Sequence, residues 1–232
     1  MQAVILCAGK GTRMGELTRN TPKPLLGISG KSLLEHKLER LPKAINEIVL
    51  IVGYLGDQIR EKIGNEYQGR PVHYVEDTTL TGTAHALWQA KDILRGRFLV
   101  MMGDDIYSTE AQEKCAKHDF SLACIKADRE TTGSRVVTDE NGRPTGFETH
   151  LLYIRNHADG GLIFTGLYSM TTEIFNHEPV KMETKDEWSL PQTFLKLGQT
   201  HDIKIIETDF WLSITAPEDL VRAVPALKPE LG

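Results

Sequence analysis

The chain has 232 residues, 40% of them hydrophobic and 25% charged, with 27 lysines and arginines against 32 acids for a net charge of −5. That composition supports a packed core, and an acidic balance without clustered basic residues argues against a nucleic-acid surface. No apolar stretch approaches the roughly 20 residues of a membrane span, so no membrane partner is expected.

The first element is Ala3-Val4-Ile5-Leu6-Cys7, an apolar run whose β-branched content predicts a buried strand over 2–7. Met1-Gln2 lead directly into it where a secretory leader would differ, so a cytoplasmic protein is expected. After a turn containing Gly9 and Gly11, apolar residues at 33, 34, 38 and 41 mark a helix over 32–41. Residues 47–52 read as a buried strand, and 57–63 as a short helix stopped at Gly64-Asn65. A strand over 71–76, a helix over 84–94 and a buried strand over 97–102 follow. This order implies a mainly parallel sheet with helices on both faces.

The second half is less regular. Residues 121–127 read as a strand, and 135–139 with 144–148 flank Glu140-Asn141-Gly142, a hairpin signal. A strand over 161–168, a helix over 190–197, a strand over 203–207 and a helix over 217–224 opened by Pro217 complete the chain. The expected fold is α/β, a Rossmann-like three-layer α/β/α sandwich around a mixed, mainly parallel central sheet. No repeat or linker divides the sequence, so one domain over 1–232 is expected. Cys7, Cys115 and Cys124 are odd in number and widely spaced, as buried reduced thiols would be.

Glycines straight after a buried strand let backbone N–H groups approach a phosphate. Arg13 and Lys23 add two cations able to converge on the same anion. The spacing fits neither the Walker A loop nor the dinucleotide fingerprint, since Gly15 comes one residue late. A glycine turn without a ligand would explain Gly9 and Gly11 alone. The compound pattern is more specific: Gly9-Lys10-Gly11-Thr12-Arg13, then Leu17-Thr18, then Pro22-Lys23-Pro24-Leu25.

With those motifs, Ala8 to Leu26 resembles the signature of the sugar-1-phosphate nucleotidylyltransferases. The resemblance implies an enzyme joining an NTP and a sugar 1-phosphate into an NDP-sugar and pyrophosphate, with Mg²⁺ as cofactor. It implies a nucleotide-binding half over 1–118, with Leu6, Ala8, Gly9, Gly11 and Thr12 in the cradle, and a sugar-phosphate half over 119–232. Relatives often carry a β-helix after this core, marked by a hexapeptide repeat; none is present, so a bare catalytic core is expected, and a homo-oligomer stays open.

Gly103-Asp104-Asp105 directly follow the strand over 97–102. Ligands of open α/β sheets bind beyond the carboxyl ends of strands. A carboxylate there would repel a triphosphate, but beside Mg²⁺ it anchors the ion. The resemblance makes Asp104 the magnesium ligand; a helix-capping role suits Asp105 or Ser108 better. The attacking phosphate would be mostly a dianion at neutral pH, so no general base is needed. Catalysis is then expected from positioning and cations. Arg13 and the turn amides would hold the β- and γ-phosphates, and Lys23 would bridge the α-phosphate and the attacking phosphate.

Leu80-Thr81-Gly82-Thr83-Ala84-His85-Ala86 resembles the family's L-G-T-A-x-A, with Thr81 an extra residue. It implies that Gly82 and Thr83 face the base and ribose. Uridylyl- and thymidylyl-transferring relatives place a Gln just upstream; here stand Glu76 and Asp77, which as carboxylates only accept. Guanine donates from N1–H and N2–H₂ on one edge, so GTP is favoured over UTP or dTTP. His85 reads as a helix-surface residue.

Other positions depart from the family. Its closing W-x-D-I-G-T-P-E-D, whose Asp is a second metal ligand, appears as Trp211-Leu212-Ser213-Ile214-Thr215-Ala216-Pro217-Glu218-Asp219, with Ser213 at the ligand position. Either Asp104 and the phosphates suffice, or Asp209 or Asp105 compensates, or metal binding is weak. The family's E-K-P appears as Glu148-Thr149-His150, which keeps an acceptor for a sugar hydroxyl and loses the lysine. Arg135 could supply that cation, although an exposed strand residue is the better reading; Gly166 completes the expected sugar side. These departures keep two alternatives open: transfer to a non-sugar phosphate such as phosphocholine or inositol phosphate, and a non-catalytic nucleotide-sugar sensing subunit.

Overall fold

Nearly every residue of β1 (Gln2–Cys7) is buried, and the facing alternates: Val4 packs to one side, and Ala3, Ile5 and Cys7 to the other. Period-two burial on both sides makes this a central strand with a layer on each face. The computed structural model describes residues 1–127, 131, 133–148, 161–182 and 186–227. After β1 come two 3₁₀ turns, over Thr12–Thr18 and Lys23–Leu25, and a small hairpin of β2 (Gly27–Ile28) and β3 (Lys31–Ser32). Helix α1 (Leu33–Glu39) starts where the Ser32 and Glu35 side chains cap each other's backbone N–H. Then follow β4 (Glu47–Val52), α2 (Gly56–Ile63), β5 (Glu66–Tyr67), β6 (Arg70–Glu76), α3 (Thr83–Trp88) and β7 (Arg97–Met102). Next are β8 (Asp105–Tyr107), α4 (Thr109–Cys115), β9 (Ser121–Lys126), β10 (Arg135–Thr138), β11 (Pro144–Glu148) and β12 (Leu162–Thr171). The chain closes with β13 (Val180–Lys181), β14 (Trp188–Ser189), α5 (Leu190–Leu197), β15 (Lys204–Thr208), β16 (Trp211–Ser213) and α6 (Pro217–Leu227).

The central sheet runs β11-β10-β12-β7-β1-β4-β6-β5 and is mixed, mainly parallel through its centre. β1 is parallel to β7 and β4, and β4 to β6. β12 is antiparallel to β7 and to β9, and β15 extends the sheet parallel to β9. Ala84 and Leu87 of α3 and Leu190 and Phe194 of α5 cover the Val4, Val49 and Val100 face. Leu34 and Leu38 of α1, Ile59 of α2 and Ala111 of α4 cover the Ile5, Leu50 and Leu99 face. A third cluster packs Ala223 and Leu227 of α6 against Met14 and Leu26, bracing the turn after β1. No helix among the described residues is long and apolar enough to cross a membrane.

The long strands and most helices fall where the sequence predicts. The helix expected over 84–94 is regular only through Trp88 and continues as turns, with Ala90 and Ile93 N–H bonding three residues back. β12 runs past residue 168 because Ser169 and Met170 still pair with β7. Ser108, whose Oγ accepts from Ala111 N–H at 3.1 Å, caps α4, while Asp105 opens β8. Strands of two or three residues have no readable period, so the sequence analysis predicts none of them.

Candidate active site

Beyond the carboxyl ends of β1 and β7 lies a cleft of about 590 Å³. Leu6, Ala8, Gly9, Gly11, Thr12, Arg13, Lys23, Asp77, Gly82, Thr83 and Asp104 line it, so the two nucleotide motifs and the strand-end acid share one wall. Gly103 makes the strand end possible: a Cβ there would stand 2.4 Å from the Leu6 carbonyl oxygen. Asp104 is thereby held beside β1. The Lys23 side chain is 8% exposed, and its Nζ donates to Asp104 Oδ2 at 2.6 Å. Arg13 is exposed at the cleft and makes no ion pair among the described residues.

A buried polar group lies behind this wall, and Lys37 within it was not singled out in the sequence. Lys37 is fully buried, and its Nζ donates to the Met102 carbonyl and sits 5.9 Å over the Tyr107 ring. The Tyr107 hydroxyl accepts from Met102 N–H at 3.3 Å, donates to the Thr165 carbonyl at 3.1 Å, and is 3.3 Å from Asp105 Oδ2. Burial, then the neighbouring Asp104 charge, raise the Asp105 carboxyl to about 8, against Lys37 and the Ser213 hydroxyl. Burial lowers the Lys37 ammonium, with Cys7, Asp105 and Asp104 opposing. Burial likewise pushes the Cys7 thiol up to about 12. Asp105 Oδ1 is buried without a hydrogen-bond partner.

At the other end, the Asp77 carboxylate shapes the loop: its Oδ1 accepts from Thr79 N–H (3.0 Å), Thr79 Oγ1 (2.7 Å) and Leu80 N–H (3.3 Å). Since each hydroxyl has one proton, Thr79 accepts from Thr81 Oγ1 at 3.0 Å, and Thr81 accepts from His85 Nδ1–H at 2.7 Å. His85 is therefore tied into the loop, and its ring stacks on Trp188 at 4.1 Å. Gly82 sits at φ 122, and a Cβ there would fall 2.4 Å from the Trp188 carbonyl oxygen. Trp188 N–H donates to the Thr81 carbonyl at 2.8 Å, and Leu190 N–H to Thr83 Oγ1 at 3.0 Å. Met182, Glu187, Trp188, Ser189 and Pro191 thus form a second wall that the sequence analysis does not include.

The remaining predicted residues lie elsewhere. Glu76 is exposed at the end of β6 and does not line the cleft. Arg135 faces Glu148 across the β10–β11 ladder, with 3.9 Å between their charged atoms. Gly166, at φ 84, packs on Met102 and close to Asp105 behind the wall. Ser213 stands opposite Asp105 in the β16–β8 pair. None of these five lines the cleft, and Thr149 and His150 lie outside the described residues.

The family profile described as nucleotidyl transferase matches residues 2–229. The bifunctional protein GlmU of Methanocaldococcus jannaschii is 31% identical over 96% of this chain, which spans 53% of that relative's length, about half. The UTP–glucose-1-phosphate uridylyltransferase AglF of Haloferax volcanii is 30% identical, covering 99% of this chain and 98% of its own. The D-glycero-α-D-manno-heptose 1-phosphate guanylyltransferase of Campylobacter jejuni is 28% identical over 94% and 96%. The solved structure of HddC from Yersinia pseudotuberculosis superposes with a TM-score of 0.74 at 23% identity, covering 98% of this chain and 99% of that one, and so shares the fold. A strand-end cleft carrying the glycine turn and its cations, a profile over nearly the whole length and a full-length relative at 30% identity agree: the chain belongs to the nucleotidyl transferase family.

Proposed function

We propose that the chain joins an NTP and a sugar 1-phosphate, releasing pyrophosphate and an NDP-sugar. The observation that carries this reading is the convergence of Arg13, Lys23 and Asp104 on one cleft floored by the glycine turn. The sugar 1-phosphate oxygen attacks the α-phosphorus as the bond to the bridging oxygen of the leaving pyrophosphate breaks. The nucleophile is already anionic, so the main barrier is repulsion between anions, which fixed cations and amides reduce. Arg13 and the turn amides hold the β- and γ-phosphates. Lys23 exchanges its contact with Asp104 for the α-phosphate and the attacking phosphate.

Mg²⁺ fits this site. Asp104 is the part-exposed carboxylate of the wall, and no group of three or more His, Cys, Asp or Glu side chains converges among the described residues. One carboxylate with phosphate oxygens and water is the donor set that Mg²⁺ accepts. Asp104 would hold the ion, which when bound would offset phosphate charge.

For the base, Asp77 is the better-placed acid, since it lines the cleft and Glu76 does not. Asp77 Oδ1 is engaged by the loop, and Oδ2 has no partner among the described residues. A carboxylate oxygen accepts from an imide N–H. In guanine that N–H is flanked by a second donor, N2–H₂, whereas in uracil it is flanked by two acceptors. This supports GTP ahead of UTP or dTTP. On the acceptor side, Arg135 and Glu148 stand outside the described cleft and would reach a sugar phosphate with their mutual pair opened, whereas Gly166, packed behind the wall against Met102 and Asp105, would not contact it. Pyrophosphate release from each NTP, with sugar 1-phosphates and non-sugar phosphates as acceptors, tests the reading. GTP with a sugar 1-phosphate is the expected pairing. No pyrophosphate from any pairing would reduce the chain to a nucleotide binder.

A further inference from the structure

Helix α1 turns a stripe of Leu33, Leu34, Leu38 and, among them, Lys37 toward the protein interior, and Lys37 has no exposed surface. Burying an amine is unfavourable unless a specific partner compensates, and a methionine or leucine would fill the same space without that penalty. The one side-chain hydrogen bond that Lys37 makes among the described residues goes to the Met102 carbonyl. Met102 ends β7, and the next two residues are Gly103, pressed on the Leu6 carbonyl, and Asp104, on the cleft wall. The peptide groups leading to Asp104 are therefore fixed from three directions. Lys37 takes the Met102 carbonyl, the Tyr107 hydroxyl takes Met102 N–H, and β1 backs Gly103. Lys37 also presents its charge toward both Asp104, part-exposed on the cleft wall, and Asp105, buried behind it.

We propose that Lys37 is a positioning residue: it clamps the end of β7 from beneath the cleft and so sets where the Asp104 carboxylate and its Lys23 partner stand. It touches no substrate and acts through Asp104. This role rests on the proposed nucleotidyl transfer, and it goes beyond it by assigning a function to a residue outside the cleft.

The test compares the full chain with Lys37→Met, Asp105→Asn and the double variant. The single Lys37→Met also changes the charge facing the buried Asp105 carboxyl, so the double variant against Asp105→Asn is the clean comparison. Steady-state kinetics at saturating Mg²⁺, equilibrium nucleotide binding without acceptor, and thermal midpoints are measured on all four. Relative to Asp105→Asn, the double variant should lose about 10–100-fold in kcat, the range expected when reacting groups shift by an ångström or less. Its nucleotide Kd should stay within about twofold and its midpoint should not fall, since the charge removed was buried. Unchanged kcat overturns the proposal, and so does a lost midpoint with normal turnover per folded molecule. A double variant that cannot fold makes Lys37 a folding residue and overturns it too. An unmodified chain that releases no pyrophosphate from any NTP removes the reaction itself, a result distinct from any difference among the variants.

Discussion

Residues 1–118 and residues 119–227 meet at the same cleft but hold their charged groups in different ways. In the first region Asp104 and the glycine turn extend from parallel strands locked in continuous register, and Lys23 and Arg13 face the cleft. In the second, Arg135 is bound to Glu148 on an edge hairpin, and the residues that reach the cleft come from the short strand β14 and its flanks. The end proposed to hold the nucleotide is preorganised by the sheet. In the proposed reading, the acceptor end would depend on side chains that must change partners, which is where substrate choice could vary without disturbing the fold.

The comparison breaks first at the cations. Arg13→Ala and Lys23→Ala should each lower turnover about 10²–10³-fold, or about 2.7–4 kcal/mol, as for loss of one preorganised donor. The thermal midpoint should change little for the exposed Arg13 and fall for Lys23, whose loss leaves Asp104 unpaired; steady-state pyrophosphate release with near wild-type rates in both would end the cradle assignment. A smaller effect sharpens the base end: inosine triphosphate, lacking the 2-amino group, should bind about 10–100-fold worse than GTP. Asp77→Gln should shift preference toward UTP or dTTP and Glu76→Gln should not; direct competition between nucleotides measures both. At the acceptor end Arg135→Ala should raise KM for the sugar phosphate only about three- to tenfold, because Glu148 already competes for the guanidinium. KM for the NTP should be unchanged, and an equal rise in both would place Arg135 on the nucleotide side.

The smallest effect concerns the cap of α1. Burial tends to raise the Glu35 carboxyl, but the hydrogen bonds from Ser32 and the Lys62 charge outweigh it and hold the value below the usual 4.5. The folded state thus binds this proton less readily than the unfolded state. The stabilisation is present above the unfolded value and is lost as pH falls through the folded one. Glu35→Gln should cost about 0.3–1 kcal/mol at pH 7 and nothing measurable in strong acid, read by urea unfolding at both pH values.

Much of the nucleotide end is legible because its signals are local. The strand-glycine turn, the Pro22-Lys23-Pro24 turn and the acid after Met102 each lie within a few residues of the element that positions them. Lys37 was legible in principle. Apolar residues at 33, 34, 38 and 41 already define a helical face, and position 37 falls three or four residues from each of 33, 34 and 41. A lysine in that stripe signals a buried amine. Trp188 left no such trace: its pairing with Thr81 and its stack on His85 join segments far apart in sequence, and a two-residue strand has no period. The same long-range contact explains why His85, on a short helix, is not the plain surface residue its position suggests.

One feature of the sheet bears on how the chain is made. β7 has β1 along one edge, but its other edge is completed only by β12, which arrives some sixty residues later in the sequence. Until then the run Phe98-Leu99-Val100-Met101 offers unpaired backbone and apolar side chains to any neighbouring strand. A nascent or truncated chain that ends before residue 162 carries this open edge, and it is the segment from which aggregation would start.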